Sequence, residues 1–247
     1  MANWNDQQPT RSPFGSAPQL NGELLSATQR DEGLRRYMLS IYNYMASGVL
    51  LSGVIALLCA RSGMAEAMFG SPLRWVVMLA PLGFVMAMSF GLAKMQASTL
   101  KLLFWGFSVA MGLSLSSIFF VYTGPSIATT FFATAGAFAG LSLYGYTTKR
   151  NLSAMGSFMA MGLIGIIIAM VLNMFLQSSG LGLAISVMGV LIFAGLTAWD
   201  NQRLRETYYQ VQGTEMVQKV VIMGALSLYL DFVNMFQFLL SLMGDRR

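Results

Sequence analysis

No histidine occurs in this chain of 247 residues, and cysteine occurs once, at Cys59. The missing imidazoles exclude histidine metal sites, Ser-His and Cys-His nucleophiles, and the one side chain that ordinarily titrates near physiological pH. A lone cysteine cannot close an intramolecular disulfide. Charge is scarce too: 10% of residues are Asp, Glu, Lys or Arg, against about 25% in soluble domains. The N-terminal stretch lacks the basic segment and apolar run of a cleaved signal peptide. The first apolar run is therefore expected to serve as its own uncleaved insertion signal. The net charge of +5 fits loop topology in a membrane protein rather than a nucleic-acid partner.

What is abundant is apolar. Hydrophobic residues make up 55% of the chain and the mean hydropathy is +0.61. Seven runs approach the about 20 residues needed to cross a hydrocarbon core: residues 41–60, 73–93, 102–122, 126–146, 157–176, 181–200 and 220–243. The expected fold is an all-α polytopic membrane protein with seven transmembrane helices in residues 30–247. Residues 1–29, rich in Asn, Gln, Pro, Ser and Gly, are expected to form a disordered cytoplasmic tail, because they cannot bury enough surface to order themselves. The charged string RDEGLRRY at 30–37 reads as a juxtamembrane surface helix. Connections such as TGPS at 123–126 and QSSG at 177–180 leave no room for an extramembrane domain.

Orientation follows from the basic residues. Arg11, Arg30, Arg35, Arg36, Lys94, Lys101, Lys149, Arg150, Arg203, Arg205 and Lys219 fall in the tail and alternate loops, whereas the opposite loops carry Arg61 and Arg74. The positive-inside rule then makes the N-terminus cytoplasmic. Seven full spans, favoured over a re-entrant last helix, put Asp245, Arg246 and Arg247 on the far side. Gly136 with Gly140, and Gly162 with Gly165, offer small faces for close helix packing. The 20 methionines are scattered in a way that suits core filling, and Pro81 is expected to kink the second span.

Two acids break the apolar pattern. Asp200 closes the sixth run and Asp231 sits within the seventh. A charge near the bilayer centre costs roughly 2.5–3.5 kcal/mol or more, so such residues mark function by default. On the last span Gly224, Ser227, Asp231, Asn234, Phe238 and Ser241 recur at helical spacing as one mostly polar stripe, which cannot face lipid. Ser186, Gly189, Phe193, Thr197 and Asp200 lie along one face of the sixth. A connector near Gly213 makes the two helices antiparallel neighbours. Asp200 stands 13 residues before Gly213 and Asp231 stands 18 after it, an offset of roughly 7–8 Å along the axis. If the acids meet, a shared proton can bridge the helices and its loss push them apart, a pH-gated latch built without histidine. Deprotonated, the same oxygens suit Ca²⁺ as hard ligands. Alternatively each acid pairs with a basic residue, Lys94 being one candidate, and simply holds the bundle together.

Three strings carry a family resemblance: AWDNQRLRE at 198–206, ALSLYLDFVNMF at 225–236 and TTKRNLSAMG at 147–156. They resemble signatures of the Bax inhibitor-1 family, the last-span string most specifically, and the likeness extends over essentially all of the chain after the tail. Asn151 stands where Asp is common and Trp199 where Tyr is common; neither is expected to touch the acid pair. The resemblance implies a last helix at the centre, wrapped by the other six in two sets of three. It also implies a pH-sensitive calcium leak whose gating pair would be Asp200 and Asp231. A basic residue of the second span that bonds this pair in some members falls at Lys94. Family members typically carry Arg there, and Lys supplies a point charge in place of a bidentate fork.

The leading functional expectation is thus a pH-sensitive calcium or other cation leak channel, with no enzymatic activity and no cofactor besides Ca²⁺ as the transported or bound ion. The alternative, suggested by bacterial relatives, is a stress-response regulator that binds and modulates a membrane protease without conducting. Two aspartates on neighbouring spans also suit intramembrane aspartyl proteolysis, but those enzymes carry Gly-x-Gly-Asp, and here Leu228, Tyr229 and Leu230 precede the acid. A proton-coupled transporter stays open, although the sequence lacks the interrupted helices such folds usually show. The expected location is a bacterial plasma (inner) membrane. Oligomeric state is open at this level.

Overall fold

The computed structural model describes the backbone of residues 17–247 and the side chains from residue 31 onward. Nine helices run through the described residues: α1 Ala17–Arg61, α2 Met64–Phe69, α3 Leu73–Gly91, α4 Ala97–Leu115, α5 Ile118–Val121, α6 Gly124–Thr147, α7 Ser153–Leu176, α8 Ser179–Val211 and α9 Met216–Met243. Seven segments are long and apolar enough to cross a membrane: Asp31–Arg61, Leu73–Gly91, Ala97–Val121, Gly124–Thr147, Ser153–Leu176, Ser179–Val211 and Met216–Met243. The chain is an all-helical polytopic membrane protein. Hydrocarbon offers no partner to a free N–H or C=O, so apolar runs of this length satisfy their backbones internally as helices.

Two compact units divide within α1, Met1–Arg36 and Tyr37–Arg247. In the first, the described backbone is helical from Ala17, and Arg36 lies 3.6 Å from Glu32 one turn back. Of the tail expected to be disordered to residue 29, residues 1–16 lie outside the described residues. From Ala17 onward the chain is helix instead, consistent with its Leu, Glu, Gln and Ala content.

In the second unit the helix ends follow local chemistry. Gly63, at φ 73°, turns the chain out of α1, and Gly213, at φ 78°, makes the turn between α8 and α9. Ser178 caps α8, its Oγ accepting from Leu181 N at 3.3 Å. The third span breaks between α4 and α5, where Ser116 and Ser117 donate to the carbonyls of Leu113 and Ser114. Such back-bonding competes with the regular helical ladder. Each expected span is present. In the sixth, helix continues past Asp200 to Val211.

More than half of the apolar window of α9 (56%) is buried, the highest share of the seven, against 6% for α7. α9 packs on α8, α6 and α4, whereas α3 packs chiefly on α4 and α7 on α8. Tyr229 joins α9 to two further spans: its ring stands edge-on to Phe107 at 4.9 Å, and its hydroxyl lies 2.6 Å from Ser52 Oγ on α1. Phe131 of α6 meets Phe232 at 5.5 Å. After α9, Arg246 pairs in antiparallel fashion with Tyr122, tying the end of the last span to the α5–α6 connection. Pro81 lies inside α3, which continues through it.

The glycine pairs separate. A Cβ on Gly162 would meet Ile192 of α8, but none of Gly136, Gly140 and Gly165 has an atom of the described chain within reach of an added Cβ. The expected Gly136–Gly140 packing face therefore points away from the bundle. The tight helix approach lies instead at Gly145, whose Cβ would collide with the backbone of Ala198.

Candidate functional site

The α8–α9 hairpin has a constant register, set by the turn at Gly213. Ser186 donates to Ser241 at 3.0 Å, and a Cβ on Gly189 would strike the ring of Phe238. Ser227 donates to Asp200 Oδ2 across the same interface. In each case the α8 residue lies one residue closer to Gly213 than its α9 partner: 13 against 14 for Asp200 and Ser227, 27 against 28 for Ser186 and Ser241. Asp231 falls one turn, roughly 6 Å, deeper than the residue opposite Asp200. Ser227 absorbs the axial offset that the positions of the acids imply.

Asp200 is 4% exposed and held at both oxygens. Oδ2 accepts from Ser227, and Oδ1 lies 3.2 Å from the Arg203 guanidinium one turn on. Arg203 is itself laid over the Trp199 ring at 4.6 Å. Burial of the acid is therefore compensated by a hydroxyl donor and a charge-assisted partner. Lys94, the cation expected here, is exposed in the turn after α3 and makes none of the ion pairs found among the described residues. The reason is the length of α8: because it continues as helix past Asp200, Arg203 falls on the same face at i+3.

Asp231 is 6% exposed, and its Oδ2 is buried with no hydrogen-bond partner among the described residues. The two acids are close enough for their charges to interact. Both line a cavity of about 430 Å³ between α7, α8 and α9, together with Arg203, Ser227, Asn234 and apolar side chains that include Ile166, Met170, Trp199 and Phe238. Asn234 turns its amide back to the Leu230 carbonyl at 2.8 Å. An unpaired buried carboxylate is stable only with a proton or a cation on it. Among the described residues no group of three Asp, Glu, Cys or His side chains could hold a metal. Two carboxylates, a hydroxyl and an amide hold six oxygens in all, the lower end of the six to eight that Ca²⁺ takes.

The residues around Asp200 pin three other helices, α1, α6 and α7, a role the sequence did not reveal. Asn201 accepts from Tyr42 of α1 at 2.6 Å and donates to Ser142 of α6 at 3.2 Å. Gln202 bridges the α6–α7 loop, accepting from Leu152 N and donating to Arg150 O, each at 2.7 Å. Arg205 caps the end of α6 by donating to the Tyr146 and Thr148 carbonyls. A Cβ on Gly156, at the start of α7, would collide with the Trp199 indole. Trp199 thus reaches Asp200 through Arg203, with no hydrogen bond from its side chain to either acid among the described residues. Asn151 does stay clear: its Oδ1 accepts from Ser153 N at 2.8 Å, as an Asp side chain would in the same local turn. The only signal available for this hub was the density of polar residues in AWDNQRLRE.

Comparison with known proteins places this arrangement. The family model described as inhibitor of apoptosis-promoting Bax1 matches residues 34–247. An uncharacterized protein of Rickettsia prowazekii is 47% identical over 218 residues, covering 88% of this chain and 92% of its own. One from Caulobacter vibrioides is 44% identical over 230 residues, covering 88% and 91%. The inner membrane protein YbhL of Escherichia coli is 42% identical over 226 residues, covering 90% and 97%. The match spans all seven membrane helices, the AWDNQRLRE hub and both acids, and the chain belongs to the Bax inhibitor-1 family.

Proposed function

We propose that this protein is a pH-sensitive cation leak of the membrane, with Ca²⁺ the favoured ion and Asp200 and Asp231 the gate. The observation that carries the reading is the buried Oδ2 of Asp231, unpartnered within a cavity that Asp200 also lines. Asp200 has a hydroxyl and a guanidinium to support its charge, so the proton of the pair resides on Asp231. With that proton in place, α8 and α9 stay closely packed. Its loss leaves two negative charges about one helical turn apart in a poorly solvated setting, where repulsion is strong. The helices then part and the cavity becomes attractive to cations. The pair acts as a gate rather than as a catalytic dyad. Likeness to an Escherichia coli inner membrane protein supports a bacterial inner membrane, and the distribution of basic residues supports a cytoplasmic N-terminus.

The test is Ca²⁺ entry into liposomes that contain the purified protein, beside empty liposomes. Entry above the empty control that rises as the pH is raised from about 6 to about 8, the range that a shared proton can span, is the expected result. No entry at any pH overturns the leak, makes the acids structural and turns attention to regulation of a membrane protease.

A further inference from the structure

A second cavity, of about 510 Å³, lies on the other face of α9, bounded by α1, α4, α5 and α6. Its walls are almost wholly apolar, Val49, Ile127, Phe131 and Phe236 among them. The two polar side chains on its floor are already satisfied: Ser52 Oγ lies 2.6 Å from Tyr229 Oη and donates to Ser108 O at 2.7 Å. Water held in a cavity needs two to four polar partners, and these walls offer it few. At one end the cavity meets a smaller chamber, of about 280 Å³, and the two share Leu57, Arg61, Phe119 and Gly124. Arg61 and Arg247 both line the smaller chamber, Glu66 is the one acidic side chain there, and neither arginine makes any of the ion pairs found among the described residues. An apolar slot in the membrane thus ends in two guanidiniums.

The geometry points to a binding site for one anionic membrane lipid, its acyl chain in the apolar cavity and its phosphate on Arg61 and Arg247. Charge and shape are complementary at each end. Guanidiniums bind phosphate through paired N–H donors, and basic pockets between membrane helices suit anionic headgroups. A zwitterionic headgroup would bring its own cation against two arginines. A free phosphate would leave the apolar slot unused. The site lies across α9 from the acid pair and does not depend on conduction.

Lipid retention by the intact protein, read by native mass spectrometry after detergent stripping, tests this. The probes are phosphatidylglycerol, phosphatidylcholine and inorganic phosphate. The wild type is expected to keep one phosphatidylglycerol several-fold more often than phosphatidylcholine. Arg61→Gln should bring the first down to the level of the second, and Arg61→Lys should keep part of the preference. Gly53→Leu adds bulk from α1 into the apolar cavity, at a position where an added Cβ meets nothing within 4 Å, and should lower retention of both lipids. Should Arg61→Gln fail to fold, Gly53→Leu and Arg61→Lys decide. Equal retention of phosphatidylglycerol by wild type and variants overturns the site. Displacement of the lipid by inorganic phosphate alone reduces it to a free-anion pocket and also overturns it.

Discussion

Asp200 of α8 accepts a hydrogen bond from Ser227 of α9, in the same register that pairs Ser186 with Ser241 further along the hairpin. It ties the acid that carries a counter-ion to the helix that carries the acid without one. Ser227 and Asp231 are four residues apart on α9 and so lie one turn apart on the same face of that helix.

Replacing Ser227 with Ala removes the donor and leaves Asp200 Oδ2 buried without one. A buried acceptor stripped of its partner costs about 1–3 kcal/mol. Thermal unfolding in detergent should show a lowered midpoint, and Ser227→Thr, which keeps the hydroxyl, should recover most of it. An unchanged midpoint in Ser227→Ala would mean that the bond contributes nothing to holding the hairpin.

Arg203 and Lys94 should behave differently. Arg203 lies 3.2 Å from Asp200, and its loss removes the cation that supports the ionised pair. Arg203→Met is therefore expected to favour the proton-bound, closed form and to reduce Ca²⁺ entry at neutral pH several-fold. Lys94→Met, at an exposed turn position, should leave the pH profile of entry where it was. The opposite ranking would restore Lys94 as the partner.

Close helix approach makes a third test. A Cβ at Gly145 would run into the backbone of Ala198, which cannot yield as a side-chain end can. Gly145→Ala should destabilise by about 1–3 kcal/mol through overpacking. Gly136→Ala, with open space around it, should be neutral or slightly stabilising, because it replaces glycine within a helix. Paired melting curves in one detergent decide, and equal losses at the two positions would contradict the packing described for α6.

Much of this was legible in the sequence. Hydropathy located every span because length and apolarity alone decide that a segment crosses. Asp200 and Asp231 stood out because charge is so rare in the runs around them. What could not be read was the continuation of α8. Apolarity stops at Asp200, but Arg203, Leu204, Arg205 and Glu206 are good helix formers, so the backbone stays helical to Val211. That continuation brings Arg203 rather than Lys94 to the acid. The axial offset of the acids was computable from their distances to Gly213, yet its resolution through Ser227 needed the side-chain contacts. Which glycines pack was likewise hidden: a Gly-x-x-x-Gly spacing defines a face of a helix but not its neighbour, and at Gly136 and Gly140 there is none within the described chain.

The most direct test of the central claim is the pH profile of Ca²⁺ entry for Asp231→Asn beside the wild type in liposomes. The amide keeps the size of the carboxyl and much of its hydrogen bonding but has no proton to lose. Entry that rises with pH in the wild type and is low and independent of pH in Asp231→Asn is the predicted result. An Asp231→Asn protein that retains the wild-type profile contradicts the account, because the group left without a partner in the cavity would then not be the one that opens it.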